Sequence, residues 1–411
     1  MRLSSTGIKA SLQYILGLPP AIRALAVAVF VNRVGGAART FFALYLHEAR
    51  GLPLTGVGFM LALFGAGNVA GGFLVGVLSD YWPTRRLIVV TLGGSGLSLL
   101  LLAIAQPTWL LGLLMLLGGL LDGGFRPMLQ RLVMEAVPDA QRTRAQSVVR
   151  SSINLGVAFA GLIGAWLATR GYLWVFVADG CGGILAAAWL ASRLQGFVPI
   201  PRPIKAGAAT PDRSPYTDLP FLMLLGSALI LAIIYDQFYS TFGAYIREAY
   251  QLSGSWVGYM YSLNGLIVGF CQIPITALTD RFGYRANAAT GAAMIAAGFA
   301  MLPFGHGPLY LCISTAVWTI GELLLMPQQF ALVTQRAETG RSGHYIGLYA
   351  AIWGGGRGLL APLVGTQLYA HFGGNGLWYC VGLAGALAVF IQQRAVRALL
   401  DTPRESLPAM A

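Results

Sequence analysis

Charge is scarce in this chain. Lysine, arginine, aspartate and glutamate make up 10% of its 411 residues, against about 25% in an average soluble domain. So few charged groups cannot cover a water-facing surface, which excludes an ordinary soluble globular protein. The net charge of +12 does not read as nucleic-acid binding either, because no segment offers the soluble basic face this requires. Cysteine is also rare. Cys181, Cys271, Cys312 and Cys380 sit in apolar stretches without metal-ligand spacing, so they read as small core residues rather than disulfides or zinc ligands. The chain has no GxxxxGK[ST] loop, no HExxH and no GxSxG elbow, which argues against a P-loop ATPase, a zinc protease and a serine hydrolase. No enzyme activity, cofactor or metal is expected. The first apolar run begins near residue 20 and is too long for a signal-peptide core.

Apolar length is what the chain has in abundance, with 56% hydrophobic residues and 54 glycines. About 20 apolar residues span a bilayer. Twelve such stretches are readable, near 20–46, 55–79, 87–105, 108–133, 146–169, 172–192, 219–246, 254–279, 286–304, 308–333, 343–370 and 375–393. The fold class expected is an all-α membrane protein. A polar linker with Pro199, Pro201, Pro203, Pro211 and Pro215 separates the sixth stretch from the seventh. This divides the chain into a first six-helix half at 1–193, a linker at 194–217 and a second half at 218–411. Basic residues gather at the termini and in the even-numbered loops: Arg2, Lys9, Arg85, Arg86, Arg142, Arg144, Arg202, Lys205, Arg213, Arg281, Arg285, Arg336, Arg341, Arg394, Arg397 and Arg404. The positive-inside rule then places both termini and the linker in the cytoplasm, and the chain in an inner membrane, surrounded by lipid.

The sequence also repeats itself. Phe42, Tyr45, Glu48, Ala49, Leu52, Val57, Gly58, Met60, Leu63, Gly65, Leu78, Asp80 and Arg85 each recur as the same residue type 200 positions later. A constant offset across two apolar stretches and their loops marks a duplicated structural unit. The repeat includes a loop signature: Gly76, Asp80, Arg85 and Arg86 follow the second stretch, and Asp280, Arg281, Gly283 and Arg285 follow the eighth. An aspartate at a helix end can pair with an arginine or cap the next helix, and such a contact can break and re-form as helices slide.

These two runs resemble the loop motif Gly-x-x-x-Asp-Arg-x-Gly-Arg-Arg of the major facilitator superfamily, departing from it at Tyr81 and Pro83 and at Thr276 and Ala286. Arg126-Pro127-x-x-Gln130 and the small-residue run Gly156, Ala160, Gly161, Gly164 are similar to the drug:proton antiporters of that superfamily, although the proline of their span-five motif is absent. The resemblance implies twelve helices in two pseudo-symmetric six-helix bundles. They would rock around a central cavity that spans one and seven help to line.

Ionisable groups inside spans are costly and by default functional. Asp122 and Glu322 match by the 200-residue offset, each five residues before a proline. Either can couple transport to protons, or serve as a structural hydrogen-bonding group. Arg126, one turn after Asp122, can pair with it, join a proton relay, or meet an anionic substrate or lipid head group. Asn32 and Arg33 in span one are cavity candidates, and Asp236 in span seven is a further proton-coupling candidate that could pair with Arg33 in one conformation and part from it in another. Tyr235, Gln237, Tyr239, Tyr261, Asn264, Trp353 and Arg357 are further cavity candidates, the rings offering faces to an apolar or cationic substrate. Asp179 is a weaker candidate, and Arg357 is read mainly as support for a glycine-rich hinge. The leading functional reading is proton-coupled export of a small, largely apolar molecule by a monomer. The alternatives are a proton symporter importing a nutrient, and a non-transporting sensor or lipid-handling protein.

Overall fold

The computed structural model describes residues 17–138, 141–198, 214–338 and 342–401. Within them all regular secondary structure is helical. The basic residues Arg2, Lys9, Arg202, Lys205, Arg213, Arg341 and Arg404 lie outside the described residues, as do the linker prolines 199 to 211.

The helices are α1 (Pro20–Gly35), α2 (Ala38–Leu44, continued by a π-turn over Tyr45–Ala49), α3 (Leu54–Leu78), α4 (Thr84–Ile104), α5 (Thr108–Ala136), α6 (Arg142–Ala168) and α7 (Tyr172–Arg193). After the linker come α8 (Leu219–Tyr235), α9 (Gln237–Ser240), α10 (Phe242–Glu248), α11 (Ser255–Thr279), α12 (Gly283–Ala300), α13 (Gly307–Glu338) and α14 (Ser342–Gly355). A π-turn over Gly356–Leu360 leads into α15 (Ala361–Asp401). Prolines mark several starts: Pro53, Pro83 and Pro107 precede α3, α4 and α5, where a missing N–H leaves no intrahelical bond unmade.

Among the described residues, nine helical runs are long and apolar enough to cross a membrane. The last, His344–Leu400, has 57 residues, or about 85 Å of helix at 1.5 Å per residue, far more than one crossing needs. Gly373 interrupts it with φ 71° and ψ 175°, a backbone conformation that only glycine adopts freely. The structure thus turns the chain where the sequence separates stretches eleven and twelve. Exposed Phe73, Trp109, Phe270, Phe304 and Leu383 suit a lipid-facing surface and would be unfavourable in water.

Burial is divided among three apolar clusters. Two draw only on residues 18–194. The third lies mostly between 221 and 396, with Phe299, Trp318 and Trp378 stacked at its centre. Neighbour relations repeat like the sequence: α3 packs on α5 as α11 packs on α13, and α4 on α5 as α12 on α13. Between the repeats, α6 packs on α11 and α3 on the π-turn before α15. Glycine permits both contacts. A Cβ on Gly65 would strike the Gly358 backbone, and one on Gly258 would lie 2.6 Å from the Gly161 carbonyl. Small residues let membrane helices approach this closely.

Candidate binding cavity

Three helix interruptions build the site. α1 ends at Gly35 and the chain restarts at Ala38. The matching position 200 residues on is Asp236, where α8 stops and α9 begins. The π-turn over Gly356–Leu360 supplies the third, and carries Arg357. Broken backbone inside a membrane protein is tolerated where it is buried in protein or lines a cavity, because its freed polar groups need partners. Gln237 provides them at the second break: its Nε2 donates to the carbonyls of Ile233 and Ala361, both at 3.0 Å, while its Oε1 accepts from Ser240 and Thr241. Gln237 is therefore a buried clamp for the break and does not line the cavity, contrary to the sequence-based expectation.

The cavity itself measures about 370 Å³. Of the predicted residues it brings together Asn32, Arg33, Asp122, Arg126, Asp236, Tyr239, Trp353 and Arg357. Tyr235, Tyr261, Asn264 and Glu322 do not line it. Glu322 lies behind the wall, where its Oε2 accepts from the Tyr235 hydroxyl at 3.0 Å and from Asn264 Nδ2 at 3.1 Å. The equal depth of Asp122 and Glu322 along the chain thus does not make them equivalent: one faces the cavity and the other is a satisfied buried acceptor. Tyr261 packs against Phe238 and Tyr239 instead.

Charge pairing also differs from expectation. Asp236 pairs not with Arg33 but with Arg357, at 2.9 Å, and with Arg39, at 3.4 Å. Asp236 is 4% exposed. Both guanidiniums also lie near the Tyr239 ring, Arg39 at 4.8 Å and Arg357 at 5.9 Å from its centroid, and Arg357 lies 4.8 Å from that of Tyr235. Rings and carboxylate together replace the water these cations lose. No motif or repeat in the sequence marks Arg39; its partner Asp236 lies 197 residues away. Asp122 and Arg126 form no ion pair: Asp122 accepts from Asn68 Nδ2 at 2.9 Å. Asp179 lines the same cavity and accepts from the Ala38 backbone N–H at 3.0 Å. Of the three cavity aspartates, only Asp236 is ion-paired among the described residues.

A polar clamp closes the cavity at the odd-numbered-loop end. Arg247 Nε meets Glu48 Oε1 at 2.7 Å, and the Tyr172 hydroxyl donates to the other Glu48 oxygen at 2.8 Å. Toward the even-numbered loops, the lining residues Arg126 and Phe330 are exposed, so the cavity opens that way.

The loop motif is engaged through residues other than its own. Asp80 pairs with Arg131 of α5 at 3.3 Å, and Arg131 also meets Glu135 at 2.8 Å. Arg85 donates to the Ala191 carbonyl at the end of α7, and Arg86 is exposed. A Cβ on Gly76 would meet nothing within 4 Å. In the second copy, Gly283 takes φ 73°, Arg281 lies over the Phe282 ring and Arg285 is exposed. The Asp280 side chain lies outside the described residues. At the corresponding end of α8, Asp218 is held by Arg336 at 2.7 Å and by the Tyr345 hydroxyl at 2.9 Å. Burial alone would raise its carboxyl, but these donors outweigh it and hold Asp218 below the usual carboxylate range.

The chain matches the family model of the Major Facilitator Superfamily over residues 25–359 and again over 221–409. It is 25% identical to the uncharacterized MFS-type transporter YqjV of Bacillus subtilis, over 75% of this chain and 76% of that one. The multidrug resistance protein MdtH of Aeromonas hydrophila is 26% identical, over 67% and 69%. A Na+, Li+, K+/H+ antiporter of Planococcus maritimus is 22% identical, over 85% and 89%. Among solved structures, the POT family transporter PepTSo superimposes with a TM-score of 0.78 over 94% of this chain and 99% of that one, at 14% identity. At that identity the likeness concerns the fold.

Proposed function

We propose that this chain, which belongs to the Major Facilitator Superfamily, is a secondary transporter that exports small, largely apolar organic molecules in exchange for protons. It is an integral, multi-pass membrane protein. In this reading twelve spans form two pseudo-symmetric six-helix halves, residues 1–193 and 218–411, and the even-numbered loops face the cytoplasm. The single observation that carries the reading is Asp122. It is a carboxylate held by an amide rather than an arginine, facing a cavity sealed at one end by Glu48 and Arg247. The relatives named for multidrug resistance and for cation/proton antiport support it at a distance.

The chemistry follows from charge. Asp122 shares its cavity with Arg33 and Arg126, and in this reading it takes up a proton on one side of the membrane and releases it on the other. Closing a cavity around an uncompensated anion is costly, so protonation of Asp122 lets the empty carrier close and return. Cargo entering from the cytoplasm meets Phe42, Phe64, Tyr349 and Trp353, and competition between cargo and the proton for the one cavity couples the two movements. Glu322 is assigned a structural role.

The test uses purified protein in vesicles with an internal pH dye and a panel of hydrophobic dyes and drugs. Cargo-driven proton movement is expected in the wild type, absent in Asp122→Asn and retained in Glu322→Gln. Uptake driven by an inward proton gradient would instead identify a symporter. Specific binding without flux would identify a non-transporting protein.

A further inference from the structure

Asp179 is a second carboxylate in the cavity, and its position is unusual. It sits on α7, and its only hydrogen-bond donor among the described residues is the backbone N–H of Ala38. That N–H belongs to the first residue of α2, where no carbonyl one turn earlier is available to accept it. The contact is built in: a Cβ on Gly35 would lie 2.7 Å from the Ala178 carbonyl, so glycine allows the end of α1 to press onto α7. One donor leaves most of a carboxylate's acceptor capacity unused. Arg33 from α1, Asp122 and Arg126 from α5, Arg39 from α2 and Tyr261 from α11 face it electrostatically or across the cavity. None of them forms an ion pair or hydrogen bond with it among the described residues. The Nε of Arg33 is itself buried without a partner.

α2 reaches further. Its second residue, Arg39, meets Asp236 across the repeat boundary. Its π-turn continuation carries Glu48, which meets Arg247. Both ion pairs joining the first repeat to the second, among the described residues, thus start from the segment whose N-terminus Asp179 holds.

We propose that Asp179 is a second proton site, and that its protonation loosens α2 and so weakens the Arg39–Asp236 and Glu48–Arg247 pairs, opening the odd-loop end. A carboxylate accepts the Ala38 N–H as a charge-assisted hydrogen bond; a neutral carboxylic acid accepts it more weakly. The proton arrives from water on the odd-loop side or the cavity, and no covalent step is involved. The inference rests on the proton-coupled reading above, and gives the carrier a proton-operated switch besides Asp122.

The experiment needs no cargo. Infrared difference spectra of the full-length protein in lipid, between acid and alkaline pH, report the carbonyl stretch of protonated carboxyl groups. Asp122→Asn and Asp179→Asn should each remove a separate band. Asn keeps an oxygen to accept from Ala38, and Asp179→Glu should shift its band rather than remove it, so loss of fold is distinguishable from loss of a proton site. Spin labels at the odd-loop ends of α2 and α10 should separate on acidification in the wild type, and stay separated at all pH values in Asp179→Asn. A spectrum and a pH response of Asp179→Asn equal to the wild type would overturn the proposal. Absence of cargo-driven proton flux with both bands present would instead count against the transport reading and leave Asp179 as a proton-operated switch.

Discussion

Asp236 accepts from Arg357 at 2.9 Å, and both residues stand where a helix is interrupted: Asp236 between α8 and α9, Arg357 in the π-turn before α15. Arg39 adds a second guanidinium from the other repeat. A buried charge pair contributes little net stability when complete, but removing one partner leaves the other uncompensated.

That asymmetry orders three substitutions. Asp236→Asn strands two guanidiniums and should cost about 3–5 kcal/mol. Arg357→Gln leaves Asp236 with Arg39 alone and should cost less. Arg39→Gln should cost least, since Arg39 is 40% exposed and its contact is longer. Thermal melting in one detergent checks the order, and the double variant Asp236→Asn/Arg357→Gln should recover part of the loss. A melting point for Asp236→Asn above that of Arg39→Gln would contradict the assignment.

The Glu48–Arg247 clamp is partly exposed, with side chains 28% and 46% accessible. A pair of this kind contributes at most about 1 kcal/mol. Glu48→Gln or Arg247→Gln should therefore raise the odd-loop-open population about fivefold, without unfolding the protein. Labelling of a cysteine placed near residue 172 measures it. The charge swap Glu48→Arg/Arg247→Glu should restore closure, and failure to do so would assign the clamp's effect to packing with Tyr172.

Asp218 predicts a pH dependence. Its carboxyl is held below the usual range by Arg336 and Tyr345, against the opposing effect of burial. A group whose folded value is depressed contributes stability that is fully present above its unfolded value, near pH 4. That contribution falls away as pH drops through the lower folded value. Melting temperature should fall between pH 5 and pH 3 in the wild type. Asp218→Asn should be less stable at neutral pH, by about 3 kcal/mol, and should show a shallower acid decline. An unchanged acid decline in Asp218→Asn would locate the titration elsewhere.

The membrane setting, the helical class and the repeat are all legible in the order of residues. Each follows from composition and periodicity, which act residue by residue: too little charge for a water-facing surface, apolar runs long enough for a bilayer, and one offset of 200. The same order also points to most charged cavity residues, since ionisable side chains inside apolar runs stand out. Which side chains meet depends on how the helices pack. Asp122 and Glu322 occupy matched positions, yet one faces the cavity and the other meets Tyr235 and Asn264, because a helix face is set by packing rather than by depth. Gln237 looked like a ligand group and is a clamp for broken backbone. Arg39, Arg131 and Asp179 carry contacts that no local pattern announces, because their partners lie 197, 51 and 141 residues away. Long-range pairing of charges in a low-dielectric interior is a property of the assembled helices.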